Sequence, residues 1–110
     1  MPLLEKVRIE IYIPDLPEPS YNSLLEQLGN ELTYSFGGCT VVSAAGKYLA
    51  LDNEIYPDRI NLLFSDTTFL WSSARLEIEL YAERIRGVVK RGLPQEESIL
   101  VAVHTVYHAT

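Results

Sequence analysis

Glu10, Tyr12 and His104 are the residues whose side chains could together carry out acid–base chemistry. His104 would act as the general acid or base, because an unperturbed imidazole titrates near neutral pH. Glu10 would orient the imidazole, and Tyr12 or Asn61 would stabilise charge that develops on a small substrate. The competing interpretation makes them ordinary strand residues on a solvated or interface surface. We favour it, since a histidine without positioned partners is weak evidence for catalysis, and we assign no catalytic residue.

The sequence also predicts neither a metal site nor an organic cofactor. His104 and His108 fall on one predicted strand, where four residues separate their Cα atoms by about 13 Å. The chain has two histidines and a single cysteine, too few for an ordinary zinc site. Cys39 follows a predicted helix, whose negative end disfavours a thiolate, so we interpret this cysteine as a small buried strand residue.

The charge balance excludes several classes of partner. Fifteen acidic against nine basic residues give a net charge of -6, the wrong sign for a protein that neutralises nucleic-acid phosphates. No apolar run approaches the roughly 20 residues of a membrane-spanning helix. Charged residues between Glu5 and Glu10 interrupt what would have to be the apolar core of a signal peptide. We expect a cytoplasmic protein that binds neither nucleic acid nor membrane.

Hydrophobic periodicity places these residues on elements. Residues 5–13 alternate between apolar and polar positions, which is typical of a strand, and prolines at 14, 17 and 19 form a stiff connector. Apolar residues at spacings of three and four then predict a helix from Tyr21 to Phe36, with Gly37 as its C-cap. A single domain spanning residues 1–110 is expected from the length.

The rest of the chain is predicted to form two strands joined by a turn, a second helix and a last strand. A strand from Thr40 to Leu51, with a bulge or bend at Gly46, leads to a turn at Asp52-Asn53 and a return strand over 55–65. Pro57 predicts that the first half of this return strand lies at an edge or at a bulge. A helix capped by one of residues 66–68 and a last strand over 99–107 complete the chain. The order βαββαβ predicts a ferredoxin-like α+β fold, a four-stranded antiparallel sheet with two helices on one face.

The central stretch FGGCTVVSAAGKYLALDNEIYPDRINLLF resembles the middle of small uncharacterised bacterial ferredoxin-like domains. The shared pattern is a Gly-x-Thr-Val entry, a Gly-x-aromatic step and a later acidic-x-x-aliphatic strand. It is carried by Gly38, Thr40, Val41, Gly46, Tyr48, Asp58 and residues 60–64. These are turn and core positions in about a third of the chain. The resemblance implies a fold and no catalytic residue set.

The sheet face away from the helices is the candidate functional surface. It is expected to display charged, aromatic and aliphatic side chains together: Arg8, Glu10, Tyr12, Asn61, Leu63, Leu100, Ala102, His104, Val106 and His108. An antiparallel sheet left open to water would normally be more uniformly polar, so we expect part of this face to be covered. Arg8, Tyr12, Asn61, His104 and His108 are the predicted ligand-binding or interface residues.

The leading hypothesis is a homo-oligomeric, non-catalytic module that binds a small ligand or a protein. One alternative is a cofactor-independent isomerase or oxygenase of the dimeric α+β barrel type, which this chain resembles in length and element order. The other alternative is a structural subunit of a larger complex.

Overall fold

The structure is a computed structural model that describes residues 2–16, 19–96 and 99–109. Its elements are β1 (Leu4–Pro14), α1 (Pro19–Phe36), β2 (Thr40–Leu49), β3 (Ile55–Asp66), α2 (Trp71–Gly92) and β4 (Leu100–His108). The strands form one four-stranded sheet in the order β2-β3-β1-β4, and all neighbours are antiparallel. The predicted ferredoxin-like fold is confirmed.

The central strand β1 organises the core. Its alternating residues Val7, Ile9, Ile11 and Ile13 have no exposed surface, as the period of two predicts. The helices cover this side of the sheet, with α1 packed on β3 and α2 on β1 and β4. The remaining side chains of β1 therefore project from the opposite side, which we call the open face.

The predicted orientation of β3 is wrong. Leu63 pairs with Ile11 and Asn61 pairs with Ile13, and directly opposed residues of an antiparallel pair point to the same face. Asn61 and Leu63 thus lie beneath the helices, 6% and 0% exposed, and not on the open face. The polar side chain is accommodated because the Asn61 amide donates to the Tyr21 hydroxyl at 2.8 Å. Its carbonyl oxygen accepts from Ser43 at 3.2 Å.

The β2–β3 hairpin extends beyond the rest of the sheet. The last pair between β1 and β3 joins Pro14 to Ile60, whereas β3 continues to pair with β2 as far as Ile55. Pro57 lies in this extension, so the prediction that it marks an edge is confirmed. The hairpin makes the molecule 49 Å long against 27 and 24 Å in the other directions.

A tight turn closes the hairpin as the sequence predicts. Asn53 adopts a positive φ of 65°, and the Ala50 N–H donates to the Glu54 carbonyl at 2.9 Å. Asparagine tolerates this left-handed conformation better than most residues. Of the bulge or bend expected at Gly46, the bulge is absent, because Gly46 stands opposite Asp58 in a register without interruption.

The predicted cap of α2 is also wrong. The helix begins after Leu70, which makes no side-chain capping hydrogen bond, and not after Asp66, Thr67 or Thr68. The Thr67 hydroxyl accepts from the Phe69 N–H at 3.1 Å. The Thr67 hydroxyl is thus used in a local turn that precedes the helix, and it does not cap the helix.

The hydroxyl of Tyr21 should matter for stability because it is the partner of a buried amide. We expect Tyr21→Phe to lower the free energy of unfolding by about 1–3 kcal/mol, since it leaves an Asn61 N–H unpaired in the core. Urea unfolding followed by circular dichroism measures this loss. Tyr34→Phe is the matched control, because Tyr34 is 90% exposed. Equal stability of the two variants would contradict the role given to Asn61.

Candidate functional site

The open face divides into a polar and an apolar half. The polar half is formed by β1 and β4, where Arg8 pairs with His104 and Glu10 with Ala102. The apolar half is formed by β2 and β3. We call its Val42, Ile60, Leu62 and Phe64 the apolar patch.

Glu10, Tyr12 and His104 are in direct contact within the polar half, and we call them the Glu10 cluster. The Nε2 atom of His104 lies 2.6 Å from Oε1 of Glu10. The Tyr12 hydroxyl donates to the other carboxylate oxygen, Oε2. Strand geometry explains the contacts, because residues two apart on β1 share a face and His104 stands diagonally across from Glu10. A carboxylate only accepts hydrogen bonds, so Nε2 carries the proton in this contact.

The cluster stabilises a charge that is nearly removed from water. Glu10 is only 8% exposed, and this burial by itself would raise the pKa of its carboxyl group. The hydrogen bonds from Tyr12 and His104, with the charges of His104 and Arg8, outweigh burial and leave that pKa below its ordinary value of 4.5. The hydrogen bond to Glu10 in turn raises the pKa of the Tyr12 phenol. At neutral pH the cluster therefore holds a carboxylate and a neutral phenol.

Arg8 is engaged beside the cluster. Its Nε and Nη2 donate to Oδ1 and Oδ2 of Asp66 at 2.6 and 3.1 Å, a bidentate pair that lowers the pKa of the aspartate. The guanidinium also lies over the ring of Phe64, with Cζ 4.4 Å from its centroid. Arg8 thus connects the polar half to the apolar patch, and its Nε and Nη2 are already bound to a carboxylate.

The remaining predicted site residues are not in the cluster. His108 stands on the open face at the end of β4, opposite Leu4, and its Nε2 is buried with no hydrogen-bond partner among the described residues. Asn61 is on the other side of the sheet, so it contacts none of them. Sequence reasoning missed Asp66 and Phe64. Both residues lie on the face of β3 opposite to that of Asn61 and Leu63. A correct prediction of which alternate residues of β3 face the helices would therefore have identified them.

One concave region lies between the helices, and another lies beside the candidate residue His104. A groove of about 570 Å³ separates α1 from α2, with Leu28, Ile85 and Val88 among its lining residues. A smaller pocket of about 220 Å³ lies at the outer edge of β4 and is lined by Trp71, Val103, His104 and Thr105. Glu10 lines neither of them. Of the Glu10 cluster, His104 is the member that lines a pocket, and 46% of its side chain is exposed.

In residues 2–16, 19–96 and 99–109, no group of three or more His, Cys, Asp or Glu side chains could hold a metal ion. In the same ranges, no helix is long and apolar enough to cross a membrane.

Comparison with known proteins supports the fold. The sequence matches no protein-family model and no curated protein. Among solved structures, the chain is similar to CutA1 from Oryza sativa, with a TM-score of 0.51, 13% identity and coverage of 98% of this chain and 84% of that one. It is also similar to a GlnK–ATP complex from B. subtilis, with a TM-score of 0.51, 14% identity and coverage of 93% and 82%. At these identities the likeness extends to the fold alone.

The lowered pKa of Glu10 predicts a pH-dependent contribution to stability. A carboxyl group whose pKa falls on folding stabilises the native state above its unfolded pKa, and this stabilisation is lost as the pH falls through the folded pKa. Glu10→Gln should therefore be less stable than the wild type at pH 7. The difference should shrink below about pH 4.5 and vanish once the native carboxyl is protonated.

Chemical denaturation from pH 7 to pH 3 measures this difference. Glu79→Gln is the control, because it removes an exposed i,i+4 pair with Arg75 whose contribution should stay below about 0.5 kcal/mol. If Glu10→Gln lost the same stability at pH 3 as at pH 7, Glu10 would act through packing and not through its charge.

Proposed function

We propose that this chain is a homo-oligomeric binding module that performs no chemical step and that assembles through its open sheet face. The observation that carries the proposal is the apolar patch. Val42 is 41% exposed, and Ile60, Leu62 and Phe64 are partly exposed beside it on the same face. A contiguous apolar surface of this kind is typical of a protein interface.

The total surface area supports the same conclusion. A monomeric protein of 12.4 kDa exposes about 6,100 Å². This chain exposes 7497 Å², an excess of about 1,400 Å². Stable interfaces bury about 800 Å² on each partner, so the excess is sufficient for one contact of this size with another chain.

The polar half of the face is compatible with being covered. Burying an unpaired charge is costly, whereas a charge that is already hydrogen-bonded needs no new partner. The carboxylate of Glu10 is bound by Tyr12 and His104, and Arg8 is bound by Asp66. A second copy can therefore lie against these side chains without having to satisfy them. A small ligand that reaches the exposed edge of His104 would use the same surface.

A charge in the apolar patch should prevent assembly. We expect wild-type protein to form a defined oligomer in size-exclusion chromatography with light scattering, and Leu62→Glu to elute as a folded monomer. The matched control is Leu76→Glu, since Leu76 is 63% exposed on α2 and far from the sheet face. A wild-type monomer at every concentration would contradict the proposal, as would loss of assembly in the control alone.

A second candidate function is favoured by one contact, the 2.6 Å approach of His104 to Glu10. In a cofactor-independent isomerase, His104 would remove a proton from the carbon next to a carbonyl group, and Glu10 would stabilise the resulting imidazolium. The burial of Glu10 and its absence from the lining of either pocket weigh against this function.

Proton exchange tests the catalytic alternative. Small ketones and hydroxy-carbonyl compounds incubated in D₂O would gain deuterium at the α carbon, detected by nuclear magnetic resonance, and His104→Gln would abolish the gain. Equal rates with wild type, His104→Gln and no protein would exclude this chemistry for the compounds tested.

A further inference from the structure

Along the outer edge of β4, some main-chain groups have no partner among the residues that the structure describes. The hydrogen bonds of β1 show which groups these are. The Val7 N–H donates to the Phe69 carbonyl at 3.3 Å, and the Val7 carbonyl accepts from the Thr67 N–H at 2.9 Å. Both groups of Val7 therefore point away from β4. Thr105 stands opposite Val7, so its own N–H and carbonyl point outward from the sheet. The same alternation exposes the main-chain groups of Val101, Val103 and Tyr107.

The outer edge of β2 is exposed in the same way. The Arg59 carbonyl accepts from the Asp15 N–H at 2.8 Å and so points toward β1. Ala45 stands opposite Arg59, and its N–H and carbonyl consequently point away from β3. Alternate residues along β2, from Val41 to Leu49, share this orientation.

The two edges carry few of the features that usually prevent strand pairing. Natural edge strands are short, or are protected by prolines, bulges and charged side chains. The nine residues of β4 include no proline and no acidic or basic residue apart from histidine. The ten residues of β2 include one charged side chain, Lys47, and pair with β3 without a bulge.

The two edges differ in shape and are complementary. Nine of the ten residues of β2 are exposed, so the side chains on both faces of this strand are accessible. The edge of β4, in contrast, adjoins the 220 Å³ pocket beside Trp71. Added strands gain affinity from main-chain hydrogen bonds and specificity from pockets that accept alternate side chains. Val41 and Leu49, 50% and 66% exposed, are the large apolar side chains of β2 on the pocket's side of the sheet.

We infer that β2 of one copy pairs with β4 of the next copy, and that an apolar side chain of β2 enters the pocket beside Trp71. This inference rests on the proposed homo-oligomer and specifies its contact. β2 and β4 run in opposite directions within the sheet, so copies arranged side by side in the same orientation pair these strands antiparallel. A contact between two different surfaces closes into a ring when the rotation permits. Copies in this arrangement have their open faces on one side of the continuous sheet and their bulkier helices on the other, so the open faces approach one another where the ring curves away from the helices.

Proline substitutions test the pairing, since proline removes an outward N–H without breaking the bonds inside the sheet. We expect Ala45→Pro, which blocks β2, and Thr105→Pro, which blocks β4, each to lose assembly and remain monomeric in light scattering. Mixed in equal amounts, they retain one intact β2 and one intact β4 between them. The mixture should regain a species of two chains.

Trp71 supplies a second readout, because it is the single tryptophan of the chain. Its emission should move to shorter wavelength in the wild-type oligomer and in the mixture, and should stay at longer wavelength in each separate variant. Ala45→Lys and Thr105→Lys, which place a charge at the same edges, replace the proline pair if circular dichroism shows that the prolines unfold the chain.

The outcomes distinguish this inference from the proposal on which it rests. If both edge variants assemble like the wild type while Leu62→Glu does not, the edge pairing is wrong and the open-face interface stands. If only Thr105→Pro dissociates, two β4 edges pair with each other, which also overturns the inference. A wild-type monomer overturns both the oligomer and the edge pairing.

Discussion

The alternation of β1 is the constraint on which the rest of the structure depends. Because Val7, Ile9, Ile11 and Ile13 must lie under the helices, the residues between them must point the other way. Arg8, Glu10 and Tyr12 reach the open face for this reason, and not because a ligand requires them there. A shift of one residue in the register would expose the isoleucines and bury three ionisable side chains together. Burial of four aliphatic side chains therefore fixes the position of the polar cluster.

Charged side chains on the open face find their hydrogen-bond partners within the same chain. A carboxylate as buried as that of Glu10 needs hydrogen-bond donors, and it has them from a neighbour on its own strand and from β4. Arg8 and Asp66 form a second closed pair, and the ring of Phe64 under the guanidinium joins this pair to the apolar patch. The face is thus mixed in composition, and its charged groups Arg8, Glu10 and Asp66 are paired within the chain, whereas Nε2 of His108 has no partner among the described residues. That combination suits a surface that alternates between water and a protein partner better than one that must leave donors available for a substrate.

The sequence could predict what depends on neighbouring residues along the chain. The period of two in β1, the apolar spacing in α1 and the Asp52-Asn53 turn are local signals, and each is confirmed. Which face of β3 meets the helices was not predictable in this way, because apolar residues occupy both sets of alternating positions in this strand. Its orientation is decided by Tyr21 and Ser43, which satisfy Asn61 from 40 and 18 residues away. The contact of Glu10 with His104 was predicted as a shared face. Asp66 was missed because it required the correct orientation of β3.

The stability of the long β2–β3 hairpin is the feature that contacts within one chain explain least. A two-stranded ribbon is marginally stable in water, since each ordered residue costs about 1–2 kcal/mol of backbone entropy. Beyond Arg59, whose carbonyl accepts from the Asp15 N–H, the described strand residues of the hairpin pair only with each other. Leu49 and Ile55 near its tip are more than 60% exposed. The radius of gyration of 15.4 Å exceeds the roughly 13 Å of a compact chain of this length because of this extension. In the assembly proposed above, a neighbouring copy that pairs with the outer edge of β2 would add contacts along the whole strand and offset part of the entropy of ordering it. This relates the extra length of the hairpin to the proposed assembly.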